Sequence, residues 1–184
     1  TFSVKQYHQL PPEADISSVN LGLSYDVHAT DYRYNPRRGN EWDIMVSAGT
    51  KKVKKNAVIV QLHDNNDPSF DFNSLYDTVK LSSYQFRMRL GAAHFFPLGK
   101  ASTFMTAFHG GWYQSPSIYR NELFQIGGYK LLRGFDEESI YASLYTVGTL
   151  EYRYLIARNS YFFGFTDLGW SQNKANGSNF SNSY

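Results

Sequence analysis

Val19-Asn20-Leu21-Gly22-Leu23-Ser24-Tyr25-Asp26-Val27 changes character at every step: Val19, Leu21, Leu23, Tyr25 and Val27 fall on one side, and Asn20, Gly22, Ser24 and Asp26 on the other. Side chains of an extended chain alternate faces with a period of two, so this stretch reads as a strand with one apolar and one polar face. The pattern recurs down the chain. Trp42, Ile44, Val46 and Ala48 alternate against Asp43, Met45, Ser47 and Gly49, and Tyr84, Phe86, Met88, Leu90 and Ala92 against Gln85, Arg87, Arg89, Gly91 and Ala93. A less clean fourth strand sets Phe104, Thr106, Phe108, Gly110 and Trp112 against Met105, Ala107, His109, Gly111 and Tyr113. A fifth sets Leu150, Tyr152 and Tyr154 against Thr149, Glu151 and Arg153, and a sixth sets Phe162, Gly164, Thr166, Leu168 and Trp170 against Phe163, Phe165, Asp167 and Gly169. Thr1 to His8 reads as the end of a further strand.

The connections alternate too. Short turns fall near residues 35–40, 97–100 and 157–160, whereas the connections near 52–79 and 116–144 and the tail from 171 are long and polar. Prolines 11, 12, 36, 68, 97 and 116 all sit in connections, as a ladder that needs every N–H requires. Short turns on one rim, long loops on the other and roughly ten-residue strands with one apolar face describe an antiparallel transmembrane β-barrel of outer-membrane type. The short rim would be periplasmic. Trp42 and Tyr161 beside short turns, and Trp112 and Trp170 near the long-loop ends, stand where interfacial aromatic girdles belong. The competing architecture is a soluble, aromatic-rich β-sandwich that binds carbohydrate, whose inner faces are also apolar.

Composition narrows the classes. The 184 residues suit one domain or a piece of a larger one, with 1–184 read as part of a single barrel domain, and the 17% aromatic share at a mean hydropathy of −0.46 suits two-faced strands better than helical bundles. A net charge of +2 gives no reason to expect nucleic acid. The absence of cysteine excludes thiolate metal sites and a cysteine nucleophile, and it fits an exported bacterial protein. No run approaches the ~18 apolar residues of a membrane helix, so a membrane reading requires a barrel.

The long connection before the fifth strand carries Leu132-Arg133-Gly134-Phe135, preceded by Phe124-x-Ile126-Gly127-Gly128. Gly148-Thr149-Leu150-Glu151 follows on the next strand, and Phe165-Thr166-Asp167-Leu168-Gly169 on the one after. In this order the three resemble the Arg-Gly-Phe, Gly-x-x-Glu and Phe-x-Asp-x-Gly motifs of the BamA/TamA superfamily of outer-membrane assembly and translocation barrels, with a flavour of Bacteroidota members. The resemblance implies a barrel of about sixteen strands, of which this chain would supply about six to seven. It implies a Gram-negative outer membrane, a lumen-tucked motif loop, unfolded or secreted client proteins and accessory assembly proteins. Within the superfamily, a two-partner secretion pore or the barrel that tethers a patatin-like lipase is the alternative.

Alternation itself assigns Glu151, Arg153 and Asp167 to the face opposite Leu150 and Leu168, where a tucked loop would lie. Arg133 can fork onto a carboxylate, so it is expected to bond Asp167 first and Glu151 second. Gly134 would let the backbone approach the wall, Phe135 would pack on Phe163 or Phe165, and Gly148, Phe165 and Gly169 would support the site. The Lys51-Lys52-x-Lys54-Lys55 run is a candidate for lipopolysaccharide phosphates. Asp136-Glu137-Glu138 reads as a solvated acidic rim, and Asp64-Asn65-Asn66-Asp67 lacks the glycine and distal Glu of a calcium loop. The sequons Asn176-Gly177-Ser178 and Asn179-Phe180-Ser181 have no meaning in a bacterial outer membrane. The five histidines lack ligand spacing and no nucleophile–base set is present, so neither metal, cofactor nor enzymatic activity is expected.

Overall fold

Each of the six alternating segments forms a strand, and each strand runs further than its alternation does. In the computed structural model, which describes residues 4, 7–63, 67–157, 159–175 and 179–184, these are β1 (Asp15–Thr30), β2 (Gly39–Lys54), β3 (Ser82–Pro97), β4 (Ser102–Gln114), β7 (Leu144–Ala157) and β8 (Ser160–Asn173). Two short strands inside the long connection, β5 (Phe124–Ile126) and β6 (Ile140–Ala142), pair with each other alone. In the tail, β9 (Phe180–Ser183) returns along β8. The main sheet is antiparallel in the order β1-β2-β3-β4-β7-β8-β9, and among the described residues β1 and β9 are its unpaired edges. The chain is therefore all-β.

Pairing register joins the six apolar sets into one surface. Leu23 faces Val46, Val46 faces Met88, Met88 faces Trp112, and Trp112 faces Leu144. Further along, Phe108 faces Gly148, which faces Leu168. This surface is not the core: Leu21 is 84% exposed, Leu23 82%, Phe162 71% and Leu168 67%. The core lies on the other face, where Tyr113, Tyr145 and Val147 of the sheet pack against Ile118, Leu123, Phe124, Ile126 and Leu132 of the long connection. Burying those side chains stabilises each by about 1.5–3 kcal/mol relative to exposure, which draws the connection over the sheet. A second cluster under the β2–β3 connection joins Ile59 of a helical turn (Ala57–Val60) to Phe72 and Tyr76 of a 3-10 turn (Phe72–Tyr76).

The short turns converge. Tyr32 donates to Asn159 Oδ1 at 2.9 Å, and Arg37 donates to the Gly99 carbonyl, so the β1–β2 turn meets both the β3–β4 and β7–β8 turns. On a flat sheet the first and last of these turns would stand four strand spacings apart, about 19 Å. A curled sheet with an inward-leaning 31–38 turn closes that gap. The curl is toward the loop face, because Arg33, Tyr34 and Pro36 line one cavity together with Tyr129, Lys130 and Leu131.

Some expectations change. The expected strand over Thr1–His8 falls on Thr1, Phe2, Ser3, Lys5 and Gln6, which lie outside the described residues, while Val4 and Tyr7 are helical. Asp64–Asn66, Arg158 and Asn176–Ser178 also lie outside them. Tyr161 does not join an outer aromatic girdle. It sits on the loop face, tilted against Phe163 at 5.7 Å with the Arg153 guanidinium 5.3 Å from its centroid, because its parity is that of Phe163 and not Phe162.

Candidate functional site

The tip of the long connection is built around two glycines. Gly127 and Gly128 have φ of +118° and +94°, a region that side-chained residues rarely adopt. A Cβ at Gly128 would meet the Glu137 carboxylate at 2.1 Å, and that carboxylate accepts the Tyr129 N–H at 3.2 Å. Leu132 N–H then returns to the Gly128 carbonyl at 3.1 Å, closing a tight turn that aims Leu132 and Arg133 at the sheet. Glu137 is thus a clamp within the loop and not simply a member of an acidic rim.

Leu132 is 1% exposed and lies over Gly169, where an added Cβ would come within 3.2 Å of its methyl group. Arg133 beside it uses every face of its guanidinium. Nε donates to Asp167 Oδ2 at 2.8 Å and Nη2 to Asp167 Oδ1 at 2.7 Å, a forked pair, while Nη1 donates to Glu151 Oε2 at 2.5 Å. The Arg133 backbone N–H adds a fourth bond, to Asp167 Oδ2 at 3.0 Å. The carboxylates are held in turn, since Thr149 Oγ1 donates to Asp167 Oδ1 at 2.8 Å and Arg153 Nε to Glu151 Oε1 at 2.6 Å. Asp167 above all, then Glu151, holds the Arg133 guanidinium above the usual arginine value, although burial pulls the other way. The Phe165 ring lies beneath the guanidinium at 3.5 Å from its centroid, a favourable cation–π stack.

The structure thus brings together Leu132, Arg133, Glu151, Phe165, Asp167 and Gly169. Two cations and two carboxylates balance, so the cluster is neutral and satisfied, an arrangement suited to holding a loop and not to transferring protons. Removing Arg133 would leave Asp167 buried without a cation and Glu151 with Arg153 alone, a loss of about 3–5 kcal/mol.

Three members behave differently from expectation. Phe135 packs edge-on against Tyr184 at 5.1 Å, because the Phe165 ring is already under Arg133. Gly134 is not at a close approach: an added Cβ would meet nothing within 4 Å, and its φ of +93° is what the position requires. Gly148 likewise has open space, as its alternation places it on the exposed apolar face.

Lys51 is corrected as a candidate for lipopolysaccharide phosphates. Its side chain is 0% exposed and its ammonium is bonded to Glu122, so it presents no charge to an outside anion. Lys52, Lys54 and Lys55 are exposed, with Lys55 donating to Asn73 Oδ1 at 2.8 Å. Sequence reasoning placed Thr149 and Arg153 on the loop face without giving them a part in the latch, and it did not single out Tyr184 or Glu122. Thr149 and Arg153 share the parity of Glu151, which is a readable signal, whereas Glu122 lies in a mixed stretch with Arg120, Asn121 and Gln125 that gives none.

No protein-family model matches the chain, and a search of characterised protein sequences finds no match.

Proposed function

We propose that this chain is part of an outer-membrane β-barrel that assembles or translocates other proteins, with the Leu132–Phe135 loop tucked against the inner wall. The observation that carries the membrane part is the continuous apolar surface opposite the loop, where Leu21, Leu23, Phe162 and Leu168 are each at least two-thirds exposed. A face so apolar over six paired strands exceeds what soluble proteins leave to water, and lipid is the solvent it fits. Trp42 at one end, and Trp112 and Trp170 at the other, agree with interfacial anchoring. The curl toward the loop face agrees with a wall that closes once further strands pair with its two edges, since unpaired edges have no place in hydrocarbon.

The assembly part rests on the motif loop and its wall partners, the features that carry the resemblance to the BamA/TamA superfamily. In this reading the loop braces the inner wall while client strands and local bilayer thinning do the mechanical work, without covalent chemistry. Lys52, Lys54 and Lys55 would face lipopolysaccharide phosphates at the long-loop rim. Fractionation and gel migration test the reading. The expected result is recovery only in detergent, with a folded band that shifts on boiling. Recovery without detergent, as a band that heating does not move, would end it and favour the soluble sandwich.

A further inference from the structure

The connection between β4 and β7 carries a second buried ion pair, at its root. Lys51 Nζ, on β2, donates to Glu122 Oε1 at 2.7 Å, Glu122 Oε2 at 2.6 Å and the Ser117 carbonyl at 2.5 Å. Glu122 also accepts from the Tyr113 hydroxyl at 2.5 Å and the Tyr119 N–H at 2.9 Å. Arg87, on β3, donates to the Glu122 carbonyl at 2.5 Å and stacks between the Tyr113 and Phe124 rings, 4.6 and 4.7 Å from their centroids. Here the wall supplies the cation and the loop the anion. At Arg133 the loop supplies the cation and the wall the anions.

Holding is unequal along the connection. The root is packed into the apolar cluster through Ile118, Leu123, Phe124 and Ile126, and closed off by the β5–β6 ladder. From Tyr129 to Ser139, only Leu132 is buried and only Leu131 and Arg133 are half-buried. Gly127 and Gly128 mark one boundary between the two regions, and Glu138, with φ of +55°, marks the other. Glycines at element ends, and a turn residue already held in the left-handed region, are where a chain can swing as a hinge.

We propose that residues 127–139 form a lid hinged at Gly127-Gly128 and Glu138, and that Lys51 and Glu122 are positioning residues that hold its root in place when the Arg133 latch opens. The reversed polarity keeps the two latches from exchanging partners: Arg133 near Lys51 or Arg87, or Glu122 near Glu151 or Asp167, would meet like charge. The lid's anchor is thereby independent of its catch. The inference depends on the loop's geometry and holds whether lipid or water covers the outer face.

The chain has no cysteine, so spin labels can be placed freely in the full chain. One pair, at exposed Gln125 and Lys52, reports the root; a second, at exposed Tyr129 and Lys52, reports the tip. Arg133→Gln is expected to lengthen and broaden the tip distance and leave the root peak in place. Glu122→Gln is expected to release the root as well, and exchange of the pair by Lys51→Glu with Glu122→Lys to restore it. Equal loss of both distances in Arg133→Gln, or an unmoved root in Glu122→Gln, would overturn the proposal. If Glu122→Gln does not fold, the exchanged pair decides: a wild-type root supports the proposal, and a released root on a folded sheet overturns it. Failure of both to fold, while Arg133→Gln folds, supports the root as the anchor.

Discussion

At the scale of single residues, Arg133 and Lys51 show how charge is managed on one face of a sheet. Both are basic, both meet carboxylates, and their donor geometries differ. Arg133 needs a planar fork, because Nε, Nη1 and Nη2 each reach a different carboxylate oxygen. An Arg133→Lys variant therefore keeps the charge but can satisfy only part of the set, and it should lose most of what Arg133→Ala loses, about 3–5 kcal/mol. Urea unfolding of both variants, in whichever solvent keeps the chain folded, checks this; full stability in Arg133→Lys would show that charge alone suffices. The pairing partners were legible because Glu151 and Asp167 share a parity on neighbouring strands. The fate of Lys51 was not legible, since a run of four lysines in five positions looks solvated. Nothing local tells that one of them lies beneath a loop whose acid sits 71 residues later.

Among the elements, the hairpin turns are the parts whose conformation depends most on one group. Asp31 closes the β1–β2 turn by accepting the Arg37 N–H at 2.9 Å and the Arg38 N–H at 3.1 Å. Partial burial pushes its carboxyl up, but these backbone bonds together outweigh that and leave it below the ordinary aspartate value. A lowered folded value means that the ionised turn is stabilised above the unfolded value, about 4, and that this contribution disappears as pH falls through the folded one. Amide exchange at Arg37 and Arg38 should accordingly quicken, beyond its intrinsic pH trend, as pH falls below about 4. Asp31→Asn should remove that pH step; its persistence would assign the step to another group. The position of this turn was readable from Asn35-Pro36-Arg37-Arg38-Gly39, but its reach to Asn159 was not, because alternation reports faces and carries no information about curl. The same limit hid β5, β6 and β9, which are too short to show a period.

For the whole molecule, the deciding property is which face the solvent touches. If lipid covers the apolar face, Leu23→Arg should weaken insertion into vesicles by about 2–4 kcal/mol, the depth-dependent penalty for arginine near a bilayer midplane. Ser24→Arg, one position along and on the other face, should change it little. Equal effects in the two variants would show that the outer face does not meet hydrocarbon. Strand identities and faces were the most legible part of this chain, since the period of two survives without knowledge of any partner. What that period also supplies is a parity rule for the latch. Glu151 and Asp167 can both reach Arg133 because an unbroken ladder joins them, with Glu151 opposite Phe165 and Asp167 opposite Thr149. The register shift of this hairpin falls at Leu155/Ala157, beyond both acids. One inserted residue between Thr149 and Leu155 would turn an acid outward and leave Arg133 a single partner. The same insertion in the connection between β2 and β3 would leave the parity of every strand unchanged.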